Sequence, residues 1–221
     1  MKRRTVIAIG ALSTLAVVGV LAYRASKLTF KATIEPLPDD VRREMTNVSW
    51  YENCPVSLDN LALITTSYWT KSGFPGTGEI IVHRDQAEKV VQIFKDLFEM
   101  KFPIERMERI VKYNGEDPKS MAANNTSAFR CSPLERTKFN ERGTWSEHAS
   151  GDAIDINPLY NPYVKGSVIQ PPEGEPYVDR DQSHPYMVTP SVVSAFARQG
   201  WKWGGNWKSA KDWQHFSVGG R

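Results

Sequence analysis

The chain begins with Lys2, Arg3 and Arg4, followed by an uncharged, mostly apolar run from Thr5 to Tyr23. A run of this length without polar positions is rarely a core helix of a globular domain, so it stands apart from whatever the rest folds into. A basic end leading into an apolar stretch is the pattern of an export signal. Its length approaches the roughly 20 residues that cross a bilayer as a helix. The expectation is an uncleaved anchor with its basic end in the cytoplasm. Cleavage after Val20-Leu21-Ala22, where small residues sit at a suitable spacing, would instead release a secreted protein. No Cys follows the run directly, which excludes a lipoprotein anchor. Residues 28–50, with Pro36, Pro38, Asp39 and Asp40, read as a spacer, and residues 51–221 as one domain.

Removing that leader changes the charge reading. Of the 28 Lys and Arg residues in the chain, five lie in residues 1–27, which contain no acid; the other 23 face 25 Asp and Glu. The body is close to neutral and carries no surface for tracking phosphates, so no nucleic-acid partner is expected. Cys54 and Cys131 are the two cysteines, both beyond the leader. In an oxidising compartment such a pair reads first as a disulfide, the alternative being two separate buried thiols. Neither has the spacing of a metal ligand.

Leu61–Trp69 is rich in β-forming residues, and Glu79–His83 is a second strand candidate. The turn residues of Lys71–Gly76 between them predict a hairpin. Ala87, Val90, Val91, Phe94, Leu97 and Phe98 fall on one helical face, with Pro103 expected to end that helix. Met107–Tyr113, Ser127–Cys131 and Ala153–Asn157 read as strands, and Asp117–Ala123 as a short helix. Asn161–Thr189 reads as a long surface excursion. Thr189-Pro190 opens a helix closing near Gly200, and Trp201–Trp203 and His215–Val218 are the last strands. Strands and helices mix without βαβ alternation, which predicts an α+β fold, a small antiparallel-type sheet with packed helices.

Two segments carry chemistry. The first runs from Ser146 to Pro158 and contains His148 and Asp155; the second contains Trp203-Gly204-Gly205 and Asp212-Trp213-Gln214-His215. Asp155 lies between Ile154 and Ile156, where a buried carboxylate is costly unless a cation offsets it. His148, Asp155 and His215 make a three-ligand set for zinc with the fourth position open, which distinguishes a catalytic site from a structural one. Asp212, three residues before His215, is placed to act as general base toward water.

Ser-x-His-x-x-Gly-x-Ala-x-Asp, here Ser146 to Asp155, resembles the signature of the zinc D-Ala-D-Ala peptidases. That family includes carboxypeptidases, dipeptidases and endolysins cutting L-alanyl-D-glutamate bonds. An acid three positions before a His, after an aromatic-Gly-rich stretch, is its second signature, and Asp at 212 is similar to the endolysin-like branch. The resemblance spans roughly residues 52–218. It implies a Hedgehog/DD-peptidase-like fold, zinc on His148, Asp155 and His215, and Asp212 as the catalytic base. It further implies an upstream Arg that stabilises negative charge. Arg130 is the best match, although it stands two positions earlier than the family pattern expects, a shift that keeps it on the same strand face. Ser146 and Trp203 are candidate substrate contacts, and Trp207 a candidate cleft wall; a turn cap and ordinary packing are the alternatives for them. The implied function is an exported zinc peptidase acting on peptidoglycan stem peptides in the cell envelope. A non-catalytic, zinc-containing cell-wall-binding module is the competing class.

Overall fold

The computed structural model describes residues 29–131 and 145–220. The expected anchor lies outside the described residues. Among the described residues no helix is long and apolar enough to cross a membrane.

The fold is α+β, built around an antiparallel sheet in the order β1 (Ala32–Pro36), β2 (Leu61–Trp69), β3 (Pro75–His83). β2 is central and buried on both faces along its first half, so it reads as a nearly unbroken apolar run. The predicted hairpin is present, and its loop closes with Thr70 N–H donating to Phe74 O and Gly73 in a left-handed conformation.

One face of this sheet is covered by α2 (Ala87–Glu99), whose Ala87, Val90, Ile93, Phe94, Leu97 and Phe98 are buried. The helix stops before Pro103. Lys101 adopts a left-handed φ of 55°, its N–H donating to Phe98 O while Phe102 N–H donates to Leu97 O. That pair of bonds is a Schellman turn, which satisfies the last carbonyls without proline. α4 (Pro190–Arg198), capped by the Thr189 hydroxyl, adds Val192, Ala195 and Phe196 to the same core.

The segment expected as a spacer belongs to the fold. β1 pairs with β2 from Ala32 opposite Thr66 to Pro36 opposite Ala62. α1 (Asp39–Met45) buries Val41 and Met45 in a second core on the other face of the sheet, with Leu61, Leu63, Ile81, Phe129 and Cys131. The Cys54–Cys131 disulfide is formed and ties the loop after α1 to that core.

The expected strand at Met107–Tyr113 is reduced to β4 (Arg106–Met107), followed by a 3₁₀ turn at Ile110–Tyr113. β4 pairs in parallel with β5 (Asn125–Thr126), and α3 (Asp117–Ala122) lies between them in sequence. A second antiparallel sheet has the order β6 (Ala153–Asp155), β11 (His215–Ser217), β9 (Lys202–Trp203). The long excursion supplies the hairpin of β7 (Tyr163–Lys165) and β8 (Val168–Gln170), which pairs with β10 (Lys211–Asp212). It is less exposed than its composition suggests. The buried Asn161 donates from Nδ2 to Ile156 O, Asn157 O and Tyr186 O, which fastens the excursion to the strand end after β6.

Candidate metal centre

The β6–β11 register sets the site. Asp155 is directly opposite His215, and Ile154 directly opposite Phe216. Directly paired residues share a face and alternate residues change face. Ile154, Ile156 and Phe216 therefore enter the main core, while Asp155 and His215 lie together on the opposite side.

His148 comes from a 3₁₀ turn, Glu147–Ser150, that Ser146 caps by accepting the His148 N–H at 3.3 Å. Its Nδ1 is 2.6 Å from Ala128 O. A carbonyl only accepts, so Nδ1 carries the proton and Nε2 keeps its lone pair. That Nε2 lies 3.1 Å from Asp155 Oδ2 and 3.2 Å from His215 Nδ1. His215 Nδ1 in turn lies 3.1 Å from Asp155 Oδ1. One ligand atom from each residue falls within 4.8 Å of the other two, and all three residues are buried.

Arg130 and Asp117 extend the cluster. Arg130 Nη1 donates to Asp155 Oδ2 at 3.0 Å, and its Nη2 is 3.2 Å from Asp117 Oδ2. The Arg130 backbone N–H donates to His148 O, and Ser127 exchanges both backbone bonds with Asp155. The strand expected at Ser127–Cys131 is thus a single bridge that leads Arg130 past the site.

These charges set the protonation states. Burial and then the Arg130 cation hold His148 down at about 4, so its imidazole is neutral at pH 7. Burial alone would raise Asp155, but His148 and Arg130 outweigh it and hold the carboxylate well below its ordinary range. Burial would lower His215, yet its bond to Asp155 raises it. Asp212 is pushed up to about 7, first by burial and then by Asp155, against His215 and Arg130. One of its oxygens, Oδ1, is sealed from solvent and has no partner among the described residues.

Trp203 packs on Phe216 and donates Nε1–H to Trp213 O, so its ring is held in the core side of the sheet. Trp207 is the indole beside the site, its ring 5.4 Å from that of His215. His184 stacks on Tyr160 at 4.3 Å, within the excursion. Asp117 was not singled out by sequence reasoning. An Asp before Pro118 at a helix start reads as a helix-start residue, and nothing local announces its pairing with Arg130.

The residues fit a metal ion. Two imidazole nitrogens, His148 Nε2 and His215 Nδ1, and the two Asp155 carboxylate oxygens face one another at 3.1–3.2 Å. A single proton cannot satisfy so many acceptors, whereas a cation can. Two His and one carboxylate is the donor set of a catalytic zinc site, in which the fourth position goes to water or substrate.

An α+β domain holding a buried His-Asp-His cluster beside a further buried carboxylate has the make-up of a metal-dependent hydrolase. A family model described as D-alanyl-D-alanine carboxypeptidase matches residues 140–218. The matched segment carries the site and is similar to this family of zinc-dependent peptidases, which supports a peptidase. Arg130 and Asp117 lie outside the matched segment. Neither the curated proteins nor the solved structures contain a match to the chain.

Proposed function

We propose that the chain is an exported zinc peptidase that hydrolyses peptidoglycan stem peptides, at D-Ala-D-Ala or L-Ala-D-Glu bonds. The observation that carries this reading is the convergence of His148 Nε2, His215 Nδ1 and the Asp155 carboxylate, with Asp212 next to them in the family-matched segment. His148, Asp155 and His215 would hold zinc, which when bound polarises a carbonyl and acidifies water.

The other residues prepare hydrolysis. Asp212 accepts the proton of the attacking water and delivers it to the departing amine nitrogen. Burial suits it to that task, since a carboxyl titrating near 7 is half-ready both to take and to give a proton. Arg130 brings positive charge to where the tetrahedral oxygen becomes negative. Asp at 212 supports the endolysin-like branch. The Cys54–Cys131 bridge supports export, because such bonds persist outside the reducing cytoplasm. Residues 1–27 are proposed to hold the domain at the outer face of the membrane, within the cell envelope.

The test is mass spectrometry of defined muropeptides incubated with wild type and Asp212→Asn. Asparagine keeps the shape but cannot accept the proton, so hydrolysis should fall by about 10²-fold or more while zinc content is unchanged. Wild-type rates in Asp212→Asn would refute the base. Zinc-loaded wild type that binds cell walls but cleaves no stem peptide would favour the binding-module class.

A further inference from the structure

Arg130 poses an electrostatic problem for any cation at this site. Its guanidinium touches Asp155, a proposed ligand, at 3.0 Å. A positive charge there repels a dication and competes for the same carboxylate. The side chain is 11% exposed, so water screens that repulsion poorly.

Among the described residues, Asp117 answers it. It opens α3, its side chain is 10% exposed, and its Oδ2 lies 3.2 Å from Arg130 Nη2. The two terminal nitrogens of Arg130 are thereby held by carboxylates from two separate elements, β6 and α3. A planar guanidinium gripped at both ends has one orientation. The charge count changes as well. With their carboxyls ionised, Asp155, Asp212 and Arg130 together give one net negative charge; an ionised Asp117 adds a second, which favours a dication.

We propose that Asp117 is a positioning and charge-balancing residue of the metal centre: it pins the Arg130 guanidinium against Asp155 and cancels its charge, which lets the site hold a dication. This rests on the zinc reading above. Partners at one remove from a metal orient its ligands and tune its affinity. Asp117 acts at two removes, through Arg130 and then Asp155.

The experiment is zinc affinity by competition with a chromophoric chelator, on wild type, Asp117→Asn, Arg130→Gln and the double variant. Thermal melts of the same proteins without metal serve as the folding control. Asp117→Asn keeps an acceptor for Arg130 but loses the charge, and should weaken zinc about tenfold. Arg130→Gln retains an N–H donor for Asp155 and should bind zinc more tightly than wild type. The double variant should recover most of the affinity that Asp117→Asn loses. A purely structural role cannot produce that recovery, because two damaging changes would add. Unchanged affinity in Asp117→Asn, or a double variant weaker than either single one, overturns the proposal. If Asp117→Asn does not fold, weaker zinc in Arg130→Gln overturns it alone. Failure of wild type to bind zinc at all would instead remove the zinc reading, a separate result.

Discussion

Loss of the Cys54–Cys131 bond is the perturbation with the most calculable cost. The two cysteines are separated by 77 residues, and the bond joins them across β2, β3, α2 and α3. Closing a loop of that length removes about 15 cal/mol/K of entropy from the unfolded chain, or about 4.5 kcal/mol at 25 °C. Domains of this size hold about 5–15 kcal/mol in total, so about 30% or more of the stability rests on one bond. The variant to make is Cys54→Ala with Cys131→Ala, since Cys131 is fully buried beside Phe129 and Ala149 and a serine hydroxyl there would add its own penalty. Urea unfolding should show a lower midpoint with an altered slope, because the open unfolded chain exposes more surface. Melting should fall by roughly 10–18 °C at 2–4 °C per kcal/mol. Wild type treated with reductant, with both thiols confirmed free by labelling, should match the variant. A stability change under about 1 kcal/mol in both would refute the loop-entropy reasoning.

Other changes test the site more locally. A Cβ on Gly204 would lie 2.7 Å from Asp212 O and 2.9 Å from Asp212 Cβ, so Gly204→Ala must push Asp212, the proposed base, aside. Stem-peptide hydrolysis should fall roughly tenfold or more with zinc retained; equal kcat/KM in variant and wild type would show that Asp212's position is not critical. Asp212 also makes a pH prediction for chelator-treated protein. Burial raises its carboxyl from the ordinary 3.8 to about 7, so the stability it gives by staying protonated is complete below 3.8 and is lost as pH rises through 7. Asp212→Asn should therefore melt higher than wild type at pH 8 and alike near pH 4; the reverse order would mean the carboxylate is stabilised when charged.

What the sequence announced was local. The α2 face recurs at helical spacing within thirteen residues, so its core role follows from periodicity alone. His148 and Asp155 stand seven residues apart and Asp212 and His215 three, so the site could be found from two short segments. Its closure could not, because it depends on β6 meeting β11 in one register sixty residues apart. The β1 strand and α1 helix escaped for a related reason. β1 is mostly exposed and α1 has only two buried residues, so neither shows a clear period; pairing with β2 and packing under Leu61 and Leu63 create them. Met107–Tyr113 shows tertiary context winning over β propensity, with left-handed Asn114 closing the 3₁₀ turn. Asn157 is another case. It adopts a φ of 43° and donates Nδ2 to Pro103 O and Tyr186 O, distant partners with no sequence signature.

One zinc held by His148, Asp155 and His215 is what we propose makes this chain a peptidase. Its most direct test is a titration of activity against metal. Protein stripped with chelator is returned to zinc in fractional equivalents, and the release of amino acid from a stem peptide is followed. Hydrolysis should be absent in the stripped protein, rise linearly and level off at about one zinc per chain, and fail to return at that stoichiometry in His148→Ala. Hydrolysis that survives stripping, or that His148→Ala regains at the same zinc equivalence as wild type, would contradict it.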